Sequence, residues 1–69
     1  MENYTQTKNE LNQMLLGLLG STDLVDQWWH SPNKAFAGNT PLEIYQKNIN
    51  GRQQVTRYVT NHTFNYGGS

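Results

Sequence analysis

Three neighbouring side chains carry the functional groups for acid–base and nucleophilic chemistry: Asp26, His30 and Ser31. Asp26 and His30 stand at i and i+4, which places them on one face of a helix. A working triad needs a nucleophile that reaches the base from a separate element, together with an oxyanion hole. Ser31 follows His30 directly, and a chain of 69 residues is too short to enclose a pocket. We therefore interpret His30 as a histidine favoured by the dipole at a helix end, and we predict no catalytic residue.

The residues that could bind a metal ion or form a disulfide are few. The chain has two histidines, His30 and His62, five scattered acidic residues and no cysteine. The lack of cysteine excludes disulfides and thiolate metal sites. We predict no metal site and no cofactor, so the small core must be supplemented by self-association or by a partner protein.

The charge balance argues against several classes of partner. Five basic and five acidic residues cancel, whereas nucleic-acid binders carry a basic patch and membrane-surface helices carry a Lys/Arg-rich face. No apolar run approaches the ~18 residues of a membrane span, and residues 1–4 do not look like a signal peptide. We therefore expect a cytoplasmic protein that binds neither nucleic acid nor membrane.

The secondary-structure elements that must position the candidate side chains, such as Asp26 and His30, are helices. Residues 8–19 contain one apolar stripe at the helical period, formed by Leu11, Met14, Leu15, Leu18 and Leu19. Gly20 suits a left-handed helix stop, and Gly17 inside the helix suggests that another helix approaches closely. Ser21 or Thr22 then caps a second helix, which Pro32 ends.

The second helix contains two adjacent tryptophans that cannot face one core equally, because neighbouring side chains on a helix point roughly 100° apart. We predict that Trp28 lies in the core. Trp29 is then the exposed anchor for a partner, since tryptophan is enriched at binding hot spots; the alternative is that Trp29 packs against the first helix. Phe36 is expected to anchor the following loop in the core.

Capping signals predict two further helices. Thr40 and Glu43 form a capping box around Pro41 at the first helical position, so a helix should run from Pro41 to about Lys47. The run Asn50-Gly51-Arg52-Gln53 resembles a second capping box, which would open a helix that buries Val55, Tyr58 and Val59.

These patterns predict an all-α fold, a small bundle of about four short helices with a polar and aromatic C-terminal tail. Residues 1–69 form a single domain, with a helix at 8–19, a helical region at 22–60 and a flexible tail at 61–69 of little regular structure. Within the tail, Phe64 and Tyr66, with His62 and Asn65, are expected to insert into a partner's cleft. The alternative, which is compatible with the first, is that Phe64 folds back over the core.

An ordered set of residues resembles the signature of the toxin-binding domain of Xre/MbcA/ParS antitoxins. The signature has a tryptophan four residues before a Pro-Asn pair, then a glycine after a short apolar loop, then Thr-Pro-Leu-Glu. The residues that match it are Trp28, Pro32, Asn33, Gly38, Thr40, Pro41, Leu42 and Glu43. The family pattern continues downstream at Gly51, Val55, Tyr58 and Val59, and Tyr66-Gly67 echoes its closing element. The resemblance covers about residues 22–67.

The resemblance implies a helical, non-enzymatic domain that binds a RES-like toxin, an enzyme that consumes NAD or transfers ADP-ribose. The family's C-terminal tail lies near the toxin's active site and blocks it. Such antitoxins normally also carry an N-terminal helix-turn-helix domain, whereas one helix stands upstream of the match here. DNA autorepression is therefore not part of the expectation.

Two functions remain open at this stage. The first is neutralisation of a RES-like toxin or another enzyme by steric occlusion, and the second is a solo, dimerising, phage-encoded regulator or inhibitor of a host protein. The predicted partner-binding residues are Trp29, His30, Arg57, His62, Phe64, Asn65, Tyr66 and Gly67. The predicted structural motif residues are Trp28, Pro32, Asn33, Gly38, Thr40, Pro41, Glu43 and Gly51. For Arg57 the alternative is an ordinary solvated position.

Overall fold

The computed structural model of the protein describes the backbone of residues 5–68 and the side chains of residues 5–63. It contains four α-helices: α1 (Lys8–Leu19), α2 (Thr22–His30), α3 (Pro41–Lys47) and α4 (Ile49–Gly68). A 3-10 turn at Lys34–Phe36 lies between α2 and α3, and the described residues contain no β-strand. The predicted all-α bundle of about four helices is confirmed.

The first three helices begin where side chains satisfy the free amide groups of the first turn. At α1, Thr7 and Glu10 form a reciprocal capping box that was not predicted. At α2 the cap is Ser21, whose Oγ accepts from the Leu24 amide at 3.2 Å. The predicted capping box of α3 is confirmed, with Thr40 and Glu43 bonding each other's backbone amides.

The junction between α3 and α4 differs from the prediction. The cap of α4 is Asn48, whose Oδ1 accepts from the Gly51 amide at 2.8 Å, so the helix begins two residues earlier than a cap at Asn50 would allow. Gly51 then lies inside the first turn of α4, against the backbone of α3. A single residue between the helices leaves no room for a loop, and Asn48 ends one helix while capping the next.

The predicted close helix approach is wrong for Gly17 and applies to Gly51 instead. A Cβ built on Gly17 meets no described atom within 4 Å. A Cβ built on Gly51 would overlap the carbonyl oxygen of Ile44, with the carbonyl carbon of Ile44 at 3.0 Å. Gly51 is therefore the position where two helix backbones touch.

The C-terminal segment is helical, contrary to the predicted tail of little regular structure. Helix α4 has 20 residues and continues through residues 61–68, a length of about 30 Å. No proline interrupts this stretch, and adding a residue to an existing helix costs far less than nucleating one. Thr63 also donates its hydroxyl to the Val59 carbonyl oxygen at 3.1 Å, which binds the side chain to its own helix. Residue 69 lies outside the described residues.

The core lies where all four helices and the 3-10 turn meet. Its buried apolar side chains are Leu11, Leu15, Val25, Trp29, Phe36, Tyr45, Val55 and Val59. Phe36 is 2% exposed, so its predicted role as the anchor of the loop is confirmed.

The core also fixes the segment before α1. The Tyr45 hydroxyl donates to the Gln6 carbonyl oxygen at 2.6 Å, and the buried Thr56 hydroxyl accepts from the Gln6 amide at 3.1 Å.

Candidate protein-binding surface

Three aromatic side chains from α2 and α4 form a continuous strip at the surface, which we call the aromatic ridge: Trp28, Tyr58 and His62. The Trp28 and Tyr58 rings are stacked, with centroids 6.1 Å apart and planes inclined by 23°. The His62 ring lies tilted against the Tyr58 ring, with centroids 4.1 Å apart. Trp28 and Tyr58 are half-buried and His62 is exposed, so the ridge rises from the core into solvent.

The ridge is held in place from below and from its own helix. Phe36 is buried beneath it and meets Tyr58 and Trp28 edge-on, at centroid distances of 5.3 and 6.3 Å. Tyr58 and His62 stand at i and i+4 on α4, and Nδ1 of His62 lies 2.9 Å from the Tyr58 carbonyl oxygen, within hydrogen-bond distance. The aromatic groups are therefore ordered before any partner arrives.

The burial of the two tryptophans differs from the prediction. Trp29 is 2% exposed, so the predicted exposed anchor is wrong and the alternative, packing against the first helix, is confirmed. Its Nε1 donates to Asn12 Oδ1 at 2.6 Å, its ring meets Tyr45 edge-on, and the Lys8 ammonium lies 5.3 Å from the ring centroid. Trp28, predicted to be core, is half-buried and contributes to the surface.

The burial of the two tryptophans follows from the orientation of α2 relative to the other helices. Val25 and Trp29 form an i, i+4 pair that packs toward α1 and α3, because Trp29 contacts Asn12 on α1 and Tyr45 on α3. Trp28 is rotated from that pair toward Tyr58 on α4. Which of two adjacent tryptophans is buried depends on the neighbours of the helix, and hydrophobicity alone does not distinguish them.

His30 and Asp26 do come together, at the exposed end of α2. Nδ1 of His30 lies 3.6 Å from a carboxylate oxygen of Asp26 and 2.9 Å from the Asp26 carbonyl oxygen. Both side chains are exposed, and Ser31, the residue that ends α2, is exposed as well.

The other predicted partner-binding residues lie on α4. Arg57 is exposed and precedes Tyr58, and His62 belongs to the aromatic ridge. Four of the predicted residues, Phe64, Asn65, Tyr66 and Gly67, have their backbone in α4, while their side chains lie outside the described residues. Tyr58 was predicted to lie on a buried face, so its place in the surface ridge was missed. The i, i+4 spacing between Tyr58 and His62 was the signal in the sequence that could have indicated it.

The predicted motif residues build the scaffold that carries the ridge. Asn33 caps the 3-10 turn through its side chain, and its carbonyl oxygen accepts from the Gly38 amide at 3.0 Å. Gly38 has φ +85°, a backbone conformation that favours glycine. Pro32 precedes this turn, while Thr40, Pro41 and Glu43 start α3 directly after it. The motif therefore fixes the loop that presents Phe36 to the ridge.

Two depressions accompany the ridge. One, of about 670 Å³, lies between α1 and the later part of α4 and is lined by Gln13, Met14, Gly17, Leu18 and Thr63. The other, of about 210 Å³, lies between α1 and α2, with Leu16, Val25 and Trp29 among its lining residues.

Within residues 5–68 no group of three potential metal ligands comes together. No helix in this part of the protein is long and apolar enough to cross a bilayer.

The ordered motif is shared with one family of known proteins. No curated protein and no solved structure matches the sequence. The family described as the antitoxin Xre/MbcA/ParS C-terminal toxin-binding domain matches residues 13–62, a stretch that contains the aromatic ridge, the 3-10 turn and the close contact at Gly51. Because this match covers well over half of the sequence, the protein belongs to the Xre/MbcA/ParS family of antitoxin toxin-binding domains.

Proposed function

We propose that this domain binds a RES-like toxin, or another enzyme of comparable kind, and inhibits it by occupying the approach to its active site. The observation that carries the proposal is the aromatic ridge, an ordered aromatic surface within a family of toxin-binding domains. The proposed inhibition is steric and needs no reactive group on this protein.

The ridge has the properties of a binding hot spot. Trp and Tyr side chains carry a large share of the energy at protein interfaces, especially where they are already ordered. Trp28 and Tyr58 are half-buried over Phe36, so docking would cost little additional side-chain entropy. His62 extends the same surface toward the end of α4.

The end of α4 supplies the proposed block. Among the side chains that the structure describes, Val59 is the last buried core residue along α4, and the backbone of residues 61–68 continues the helix beyond it. In this proposal the last two turns of α4 reach into a partner's cleft while the ridge holds the domain in place. In this proposal the ridge provides the affinity, and the end of α4 provides the inhibition.

The direct test is binding to a purified RES-family toxin, measured by calorimetry, with toxin activity followed by NAD consumption. His62→Ala should weaken binding by about tenfold or more, as expected for a hot-spot residue. The matched control is Gln46→Ala, at an exposed position on α3 that is not part of the ridge, which should bind like the parent protein. Equal affinities for the two variants would contradict the proposed contact between His62 and the toxin.

The inhibitory role of α4 is tested separately by deleting residues 64–69, which leaves Val55 and Val59 in the core and His62 in the aromatic ridge. The shortened protein should still bind the toxin, with weaker affinity, and should inhibit it poorly. Inhibition at full strength by the shortened protein would contradict the proposed block and leave the binding role intact.

The second candidate function is a self-associating regulator that acts on a host protein. Two exposed leucines favour it: Leu18 at the end of α1 is 37% exposed and Leu24 at the start of α2 is 45% exposed. Light scattering distinguishes the candidates, because a dimer that Leu24→Gln disrupts would support self-association through this corner. A monomer at all concentrations would exclude it.

A further inference from the structure

The dipeptide Asn50-Gly51 is the only Asn-Gly pair in the sequence. An asparagine followed by glycine is the most reactive context for deamidation in proteins, because no side chain on the next residue hinders attack by its amide nitrogen. We propose that Asn50 is a deamidation site that the first turn of α4 keeps closed, so that its conversion reports opening of that turn.

The reaction needs only water and a base. The Gly51 amide nitrogen loses its proton and attacks Cγ of Asn50, forming a new N–C bond. The bond between Cγ and Nδ2 of Asn50 then breaks, and ammonia leaves with the proton it gains. Water opens the resulting five-membered imide at either carbonyl carbon, which yields aspartate or isoaspartate at position 50. No oxidation or reduction occurs.

Packing explains why the reactive dipeptide is present. Position 51 must be glycine, because any Cβ there would overlap the backbone carbonyl of Ile44. Asn50 is exposed, so its side-chain amide is open to water. The close contact between α3 and α4 therefore imposes the residue that makes Asn50 reactive.

The folded structure restrains the reaction in two ways. The attacking nitrogen of Gly51 donates its hydrogen to Asn48 Oδ1 at 2.8 Å, and the next amide, of Arg52, donates to the Asn48 carbonyl oxygen at 3.0 Å. The backbone of Asn50 is helical, whereas ring closure requires ψ to leave the helical range. Both restraints are released when the first turn of α4 opens.

The two products would affect the fold differently. Aspartate at position 50 adds a negative charge in the first turn of α4, which the helix dipole favours. Isoaspartate lengthens the backbone by one carbon atom directly before Gly51. That change misaligns the first turn of α4 and displaces Gly51 from the Ile44 carbonyl. An opening event that ends in isoaspartate therefore prevents the junction of α3 and α4 from closing again.

The proposal is tested by following deamidation at Asn50 in the full-length protein, by mass spectrometry of proteolytic peptides, in native buffer and in urea. Conversion in native buffer should be slower than in urea by more than about tenfold, because the reactive geometry then requires local opening. Asn61, exposed on the same helix and followed by histidine, serves as the internal comparison. Equal rates at Asn50 in the two solutions would overturn the proposal.

A pair of cap variants tests the specific restraint. The variant Asn48→Asp retains a good N-cap, so its Asn50 should deamidate at the parent rate in native buffer. Asn48→Ala lacks the acceptor and should convert it about fivefold faster, the change in opening expected from loss of an N-cap of ordinary strength. Identical native rates for these two variants would contradict the role of Asn48. The comparison of native buffer with urea uses the parent protein, and so stands even if Asn48→Ala does not fold.

Discussion

The contact between α3 and α4 makes a sharp prediction about two glycines that both lie within helices. Both Gly51 and Gly17 lie within helices, and replacing either by alanine adds the same methyl group. At Gly51 the methyl carbon would overlap the carbonyl oxygen of Ile44 and lie 3.0 Å from its carbonyl carbon. At Gly17 it would meet no described atom within 4 Å.

The expected free energies of unfolding follow from two opposing effects. Alanine is favoured over glycine inside a helix by about 1 kcal/mol. Overpacking costs about 1–3 kcal/mol, and the upper end applies at Gly51 because the obstructing atoms belong to a helix backbone and cannot rotate away. Gly51→Ala should therefore destabilise the fold by about 2 kcal/mol, whereas Gly17→Ala should stabilise it by about 0.5–1 kcal/mol.

The assay is thermal and urea unfolding of both variants and the parent protein, followed by the helical circular dichroism signal. For a domain of this size, about 1 kcal/mol shifts Tm by roughly 4–8 °C, so Gly51→Ala should melt about 8–16 °C lower and Gly17→Ala a few degrees higher. The informative quantity is the opposite sign of the two shifts. If Gly51→Ala unfolds at or above the temperature of the parent protein, the close packing of α3 against α4 is incorrect.

Three further predictions, made with five substitutions, test other parts of the fold and the surface. Trp29→Phe should cost about 2 kcal/mol, because it removes the Nε1 hydrogen bond to Asn12 from a buried position, and Trp28→Phe should cost about half as much in the same urea titration. Thr56→Val should cost about 1 kcal/mol by removing the hydroxyl that accepts the Gln6 amide, whereas Thr56→Ser should retain most of the stability. His62→Ala should change the free energy of unfolding by less than about 0.5 kcal/mol, since the side chain is exposed; a larger loss would assign it a structural role.

The family motif and the aromatic ridge have different roles: the motif shapes the scaffold, and the ridge is the proposed binding surface. The residues that match the family motif most closely mainly shape the loop and the start of α3, and few of them are positioned to contact a partner. Trp28 is the exception, because it belongs both to the motif and to the aromatic ridge. Under the proposed function, a different partner would be accommodated by changes at His62 and along α4, with the scaffold kept.

Much of the fold could be predicted from the sequence because the signals involved are local. The capping box of Thr40 and Glu43 acts within one helical turn, so it fixes the start of α3 whatever surrounds it. Gly20 likewise ends α1 in the left-handed conformation that was expected, with φ +97°. The family motif was recognisable for the same reason, since most of its residues are constrained by turns and caps that need little tertiary context.

Only the tertiary structure decided which faces and which glycines matter. Trp28 and Trp29 are the same residue type, and their burial depends on where α1, α3 and α4 lie around α2. Gly17 and Gly51 are equally permissive residues, and only the crossing of α3 and α4 makes one of them indispensable. Periodicity establishes that a helix has an apolar face, whereas the partner of that face is set by contacts between residues distant in sequence, which no local pattern encodes.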